Sequence, residues 1–200
     1  MTVAPDLFNG TPAPMDLNNP AFNTSQFIAN HGVEVIDPII ASAIKYLRNT
    51  VKVKKIAVTG YCFGGKYAVR FVAAGKGADV AFAAHPSLLD NKELQAVTGP
   101  TAIAAAGKSR NHLYSFCLSR NVMSDLSTNI PFAERDGMMS PARRNEIADL
   151  LSKTGLAYQV SLYGYTDHGF GVRANISDPR QKFAKEAAFA QAVSWFSSWA

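Results

Sequence analysis

The chain has 200 residues, 48% of them hydrophobic, and a net charge of +5, which is enough for one domain with its own core and too little for two comfortable ones. Its Lys and Arg residues are scattered, with no basic stripe interleaved with aromatics, so no nucleic acid is expected as a partner. No basic leader followed by an apolar stretch opens the sequence, and no apolar run approaches the ~18 residues of a membrane helix, so the expectation is a soluble, cytoplasmic protein with no membrane partner.

In chain order, Asp37-Pro38 predicts a helix start, with an N-cap and a first-turn proline. Ile39, Ile40, Ala43, Ile44 and Leu47 then recur at helical spacing to about Asn49. Ile56 to Thr59 is a short apolar run ending at Gly60, and Ala68, Phe71 and Val72 follow with helical period: strand, sharp turn, helix. Val80 to Ala84, Pro100 to Ala106 and Tyr158 to Tyr163 are further apolar runs that read as buried parallel strands. Ser140-Pro141 caps a helix carrying Ile147, Leu150 and Leu151 and ending at Gly155, and Asp178-Pro179 caps a last helix with Phe189, Val193 and Phe196 on one apolar face. Strands alternating with helices predict an α/β fold, a mainly parallel sheet covered on both sides.

The two cysteines, Cys62 and Cys117, stand in unlike surroundings and make neither a disulfide framework nor a metal site. Cys62 is distinguished by Gly60-Tyr61-Cys62-Phe63-Gly64-Gly65, which has the G-x-nucleophile-x-G form of a strand-to-helix elbow. The nucleophile there adopts a strained backbone conformation, so glycines two residues to either side are expected where a Cβ would clash. The turn places the sulfur at a helix N-terminus, whose free N–H groups favour thiolate, and offers the Phe63 N–H as an oxyanion donor. A tight connection holding a buried Cys is the bland alternative, and the strand before and helix after it favour the elbow.

A triad then needs an acid and a His later in the chain. His168 directly follows the last strand, at the sheet end that also carries the elbow. His85 also ends a strand and competes as base, but it comes too early and Pro86 stiffens it, so a wall or packing role is expected. For the acid, Asp136 precedes the helix capped at Ser140, where the loop after the penultimate strand belongs. Asp167 would have to fold back on its neighbour His168 and is the weaker candidate. His31 and His112 lie outside this constellation.

Pro5-Asp6-Leu7-Phe8, the elbow through Lys66, His85-Pro86-Ser87, Glu134-Arg135-Asp136 and His168-Gly169-Phe170-Gly171-Val172-Arg173 resemble segments of the dienelactone hydrolase family, within the α/β-hydrolase superfamily. The resemblance covers most of the chain. It implies a Cys/His/Asp triad of Cys62, His168 and Asp136 that cleaves small lactones or esters of the carboxymethylenebutenolidase type, with no metal or organic cofactor. It further implies that Arg173 meets a substrate carboxylate through paired hydrogen bonds, with Tyr61 and His85 beside the substrate.

Two departures from the family pattern bear on activity. The resemblance starts in the middle of the hydrolase half-sheet, so several N-terminal strands are expected to be missing. With them would go a second oxyanion N–H, worth about a hundredfold or more in rate, and the acidic residue with which the family holds its resting Cys. A sheet cut there leaves an edge strand open to self-association. The second departure is an insertion at 107–133, whose 27 residues have no clear period; a structureless loop of that length is foreign to a compact domain. Its ends, Gly107-Lys108-Ser109 and Phe132-Ala133-Glu134, can be encoded by donor-like and acceptor-like splice sequences, which suggests a translated intron that transcript reads across residues 100 to 140 would test. A non-catalytic hydrolase-like remnant acting as a binding module is the rival reading, and a redox role for Cys62 is disfavoured because no resolving Cys stands nearby.

Overall fold

The four apolar runs form one parallel sheet of β1 (Ala57–Tyr61), β2 (Val80–Ala84), β3 (Thr101–Gly107) and β4 (Tyr158–Gly164), hydrogen-bonded in the order β1-β2-β3-β4. The computed structural model describes residues 1–14, 20–107 and 138–200. They make two compact units, Met1–Ile56 and Ala57–Ala200, and the sheet lies in the second.

β2 and β3 are buried along their whole length, as continuous apolar runs in a parallel sheet require. Their side chains alternate between two faces. Ala81, Ala83, Ile103 and Ala105 pack with Val69 of α3 (Phe63–Phe71), Leu94 of α4 (Asn91–Gln95) and Ile147 and Leu151 of α5 (Pro141–Ser152). Phe82, Ala84, Ala102 and Ala104 face the other way, against Ala184, Ala188 and Trp195 of α7 (Pro179–Trp199). The α/β class with helices on both faces is therefore as expected. β1 and β4 differ from expectation. Among the described residues they are the edge strands, and Ala57, Thr59, Tyr158 and Leu162 are exposed.

The caps of α5 and α7 form where the sequence places them. Ser140 accepts the Arg143 N–H, Asp178 accepts the Arg180 N–H, and each is followed by proline in the first turn. The buried face of α7 is only in part the predicted one: Phe196 packs half-buried against the sheet, its ring 6.4 Å from that of Phe82, while the other predicted residues do not. Phe183, Phe189 and Val193 are 69%, 65% and 50% exposed, while Ala184, Ala188 and Ala192 face the sheet. The inner faces of β2 and β3 are themselves mostly alanine, and a row of small residues at every fourth position lets the helix approach closely; a row of phenylalanines would hold it off.

In the first unit, α1 (Thr24–Asn30) is capped by the Asn23 side chain, which accepts the Gln26 N–H. α2 runs from Val33 to Tyr46 with Pro38 inside it, not from Asp37. Glu34 sits in the first turn, where a negative charge suits the helix N-terminus, and Pro38, inside the helix, has no N–H to offer the ladder. A π-helical turn, Leu47–Val51, ends the helix at Lys52, whose φ is 64°. His31 is structural here: its Nδ1 bonds the Phe27 carbonyl at 2.7 Å and its Nε2 lies 3.2 Å from Thr11 Oγ1. Among the described residues no single helix is long and apolar enough to cross a membrane. Within the proposed insertion, Gly107 is the last residue of β3, paired with Gly164; residues 108–133 lie outside the described ones.

Candidate active site

β1 ends at Tyr61, and the chain turns through Cys62 into α3. Cys62 has φ 51° and ψ −118°, a conformation that costs an L-residue on the order of 1–3 kcal/mol. Three backbone bonds hold it there. Its N–H donates to the Ala84 carbonyl at 3.1 Å, and its own carbonyl accepts the N–H groups of Gly65 and Ser87, each at 3.0 Å. Of the flanking glycines Gly60 meets the expectation and Gly64 does not. A Cβ at Gly60 would lie 2.0 Å from the Gly64 carbonyl oxygen, so that position must be bare, whereas a Cβ at Gly64 would meet nothing within 4 Å. The second close approach is at Gly65, whose Cβ would fall 2.8 Å from that of Pro86.

His168 follows β4 in a loop fixed by Thr166, which is fully buried and whose Oγ1 donates to the Tyr163 carbonyl at 2.6 Å and accepts the Gly107 N–H at 3.3 Å. The ends of β3 and β4 are thereby tied together, and His168 is brought to the elbow. Its Nε2 lies 3.0 Å from Cys62 Sγ. Ser87, from the loop after β2, completes a triangle: Ser87 Oγ is 3.3 Å from Cys62 Sγ and 3.1 Å from His168 Nε2. Burial raises the Cys62 pKa, but the hydrogen bonds of His168 and Ser87, the charge of His168 and the Phe63 N–H outweigh it and bring it from 9.0 to about 7.

Of the remaining candidates, His85 is fully buried, with its ring 5.1 Å from that of His168 and 5.4 Å from that of Phe170, so it packs behind His168. Tyr61 stands 6.0 Å from the His85 ring and lines a cavity of about 280 Å³ with Phe82, Gly171, Ile176 and Phe189. Arg173 is the exposed last residue of α6 (Phe170–Arg173), and its guanidinium lies over Gly169. Asp136 lies outside the described residues, and Asp167 is half-buried beside His168. Ser87 was given no role by sequence reasoning. Its signal was available: a hydroxyl residue just past the end of β2, at the sheet edge where the elbow and the His loop also emerge.

Residues 1–200 match the family model of the dienelactone hydrolase family. Hydrolase tropI of Talaromyces stipitatus is 35% identical over 204 residues, covering 98% of this chain and 68% of the relative. Hydrolase pyvD of Aspergillus violaceofuscus is 31% identical over 199 residues, covering all of this chain and 69% of the relative. Among solved structures, a putative dienelactone hydrolase from Klebsiella pneumoniae superposes with a TM-score of 0.59 at 12% identity, over 90% of this chain and 69% of its own, a likeness of fold. This chain belongs to the dienelactone hydrolase family.

Proposed function

We propose that the chain hydrolyses small lactones or esters by thiolate attack, with Cys62 as nucleophile, His168 as base and then acid, Asp136 orienting His168, and the Phe63 N–H as oxyanion donor. The observation that carries this reading is the 3.0 Å approach of His168 Nε2 to Cys62 Sγ at a strained strand-to-helix turn. In this mechanism the thiolate adds to the ester carbonyl, and the oxyanion that forms takes up the Phe63 N–H at the head of α3. Collapse breaks the carbonyl carbon–oxygen bond while the His168 imidazolium gives its proton to the leaving oxygen. A thioester on Cys62 remains. Neutral His168 next takes a proton from water, the hydroxide adds to the thioester, and the thiolate departs with the acid released. The role of Asp136 rests on family resemblance, and so does that of Arg173 as partner of a substrate carboxylate. Action on small molecules in the cytoplasm belongs to the same reading.

Iodoacetamide alkylation tests it, followed by mass on the Cys62 peptide from about pH 5 to about pH 9, because only the thiolate reacts. The thiol pKa is lowered, so reactivity rises with pH through a midpoint of about 7 rather than 9.0. In His168→Ala two of the opposing contributions are gone while burial stays, and the midpoint moves up. A wild-type midpoint at the ordinary thiol value, unmoved by His168→Ala, refutes the thiolate mechanism. A midpoint near 7 justifies screening lactones and aryl esters, with Cys62→Ala as the inactive control.

A further inference from the structure

The sequence assigns nothing to Ser87, yet its hydroxyl touches both reacting groups, at 3.3 Å from Cys62 Sγ and 3.1 Å from His168 Nε2. Its placement is built rather than accidental. The side chain is buried, and its backbone N–H bonds the Cys62 carbonyl at 3.0 Å, so the loop that carries it is latched to the residue it serves. Farther along that loop Lys66 Nζ donates to the Leu88 carbonyl at 3.0 Å and pairs with Glu93 at 3.3 Å, and Glu93 also pairs with Arg70. Leu88 holds φ 57°, a conformation a non-glycine residue keeps only where its surroundings fix it.

We infer that Ser87 is the positioning residue that sets the proton balance between Cys62 and His168. The chemistry follows from a hydroxyl having one proton to donate. When it donates to Sγ, the sulfur is surrounded by the Ser87 O–H, the His168 Nε2–H and the Phe63 N–H, and the thiolate–imidazolium pair is favoured. If it donates to Nε2 instead, that nitrogen must be unprotonated and the thiol–imidazole pair is favoured. Once the sulfur is acylated it is a poor acceptor. The hydroxyl then turns to Nε2 or to the water that His168 activates, 3.1 Å being hydrogen-bond distance. No bond to Ser87 Oγ forms or breaks in the cycle.

This role rests on Cys62 acting as a thiolate, as proposed above. The other titratable groups around the pair are His85 at the end of β2, Tyr61 at the end of β1, and Asp167 and Arg173 in the segment after β4. None of them is altered in the test. Cys62 alkylation is measured against pH in Ser87→Ala, Ser87→Gly and Ser87→Thr, with His168→Ala alongside and thermal midpoints as the check on folding. Without the hydroxyl the alkylation midpoint moves up by about one unit, the worth of one hydrogen bond to a charged acceptor, and Thr, which keeps the hydroxyl, stays near the wild type. Ser87→Gly supplies the hydroxyl-free form if Ser87→Ala folds poorly. Should the wild type have its midpoint near 7 and His168→Ala raise it while the hydroxyl-free variants leave it in place, the role of Ser87 is overturned and the thiolate mechanism survives. Thr shifting as far as Ala overturns it too, because shape rather than the hydroxyl would then be responsible. A wild-type midpoint at 9.0 removes both.

Discussion

Exchanging the two elbow glycines for alanine, one at a time, separates backbone geometry from motif. At Gly60 the new methyl would sit 2.0 Å from the Gly64 carbonyl oxygen, 2.3 Å from its carbonyl carbon and 2.8 Å from the Gly65 nitrogen, all of them backbone. Ordinary contact starts at 3.4 Å, so the first turn of α3 would have to retreat by more than an ångström. That turn holds the Cys62 carbonyl through Gly65 N–H, so the retreat also loosens the strained residue. Overpacking against rigid atoms costs about 3 kcal/mol or more, roughly 6–12 °C in melting temperature for a chain of this size. At Gly64 the methyl enters open space on a helix, where alanine is preferred to glycine by up to about 1 kcal/mol. Differential scanning calorimetry of the two variants therefore predicts a large loss for Gly60→Ala and no loss, or a small gain, for Gly64→Ala. Equal destabilisation by both would refute the geometry derived for the elbow. If Gly64→Ala keeps its stability and loses activity, Gly64 is bare for the sake of the substrate's approach.

Two further changes probe the surroundings of the site. Glu93 is buried, pairs with Lys66 and Arg70, and closes the capping box of α4, so Glu93→Ala should cost about 2–3 kcal/mol by urea denaturation; a loss under about 0.5 kcal/mol would mean the pairs are solvent-screened and the loop is held by its backbone bonds alone. Arg173→Ala should raise KM roughly tenfold or more for a lactone bearing a carboxylate, with kcat and the hydrolysis of a neutral ester little changed, and an equal effect on both substrates would end the carboxylate assignment.

The parts of this fold that the sequence discloses are those where one physical requirement acts alone. Val80 to Ala84 is apolar at every position and Pro100 to Ala106 at every position but Thr101, a pattern that suits a strand covered on both faces, and they are β2 and β3 to within a residue. Ser140-Pro141 and Asp178-Pro179 cap helices through local chemistry that needs no partner from elsewhere. Where two requirements compete, the reading fails. On α7 hydrophobicity favours Phe189 and Val193 as the buried face, and close packing against an alanine-rich sheet gives that place to Ala184, Ala188 and Ala192. At Asp37-Pro38 a cap and an interior proline look alike locally, and the preceding Val33 to Ile36 decide in favour of an interior position. In the site, Cys62 and His168 were legible because the elbow and the strand-end rule each name a position. Ser87 was not, because a hydroxyl beside the Cys62 sulfur needs no fixed spacing, only a loop that ends in the right place.

That loop explains how the strain at Cys62 is sustained. The Cys62 carbonyl accepts one N–H from its own helix, that of Gly65, and one from the neighbouring loop, that of Ser87. The second bond makes the φ of 51° a property of two strand ends rather than one. Through the parallel register of β1 and β2, Tyr61 stands opposite Ala84, and the next residue of each strand, Cys62 and His85, turns with positive φ. Two adjacent strands thus bend at the same level, His85 with its N–H on the Ala104 carbonyl at 2.7 Å and Cys62 with its N–H on that of Ala84. A slip of one residue in that pairing would take Ser87 away from the sulfur and the Cys62 carbonyl away from its second donor at once. The register of an ordinary pair of strands therefore sets the distance between the Cys62 sulfur and the Ser87 hydroxyl, and places them where the segment after β4 delivers the His168 imidazole.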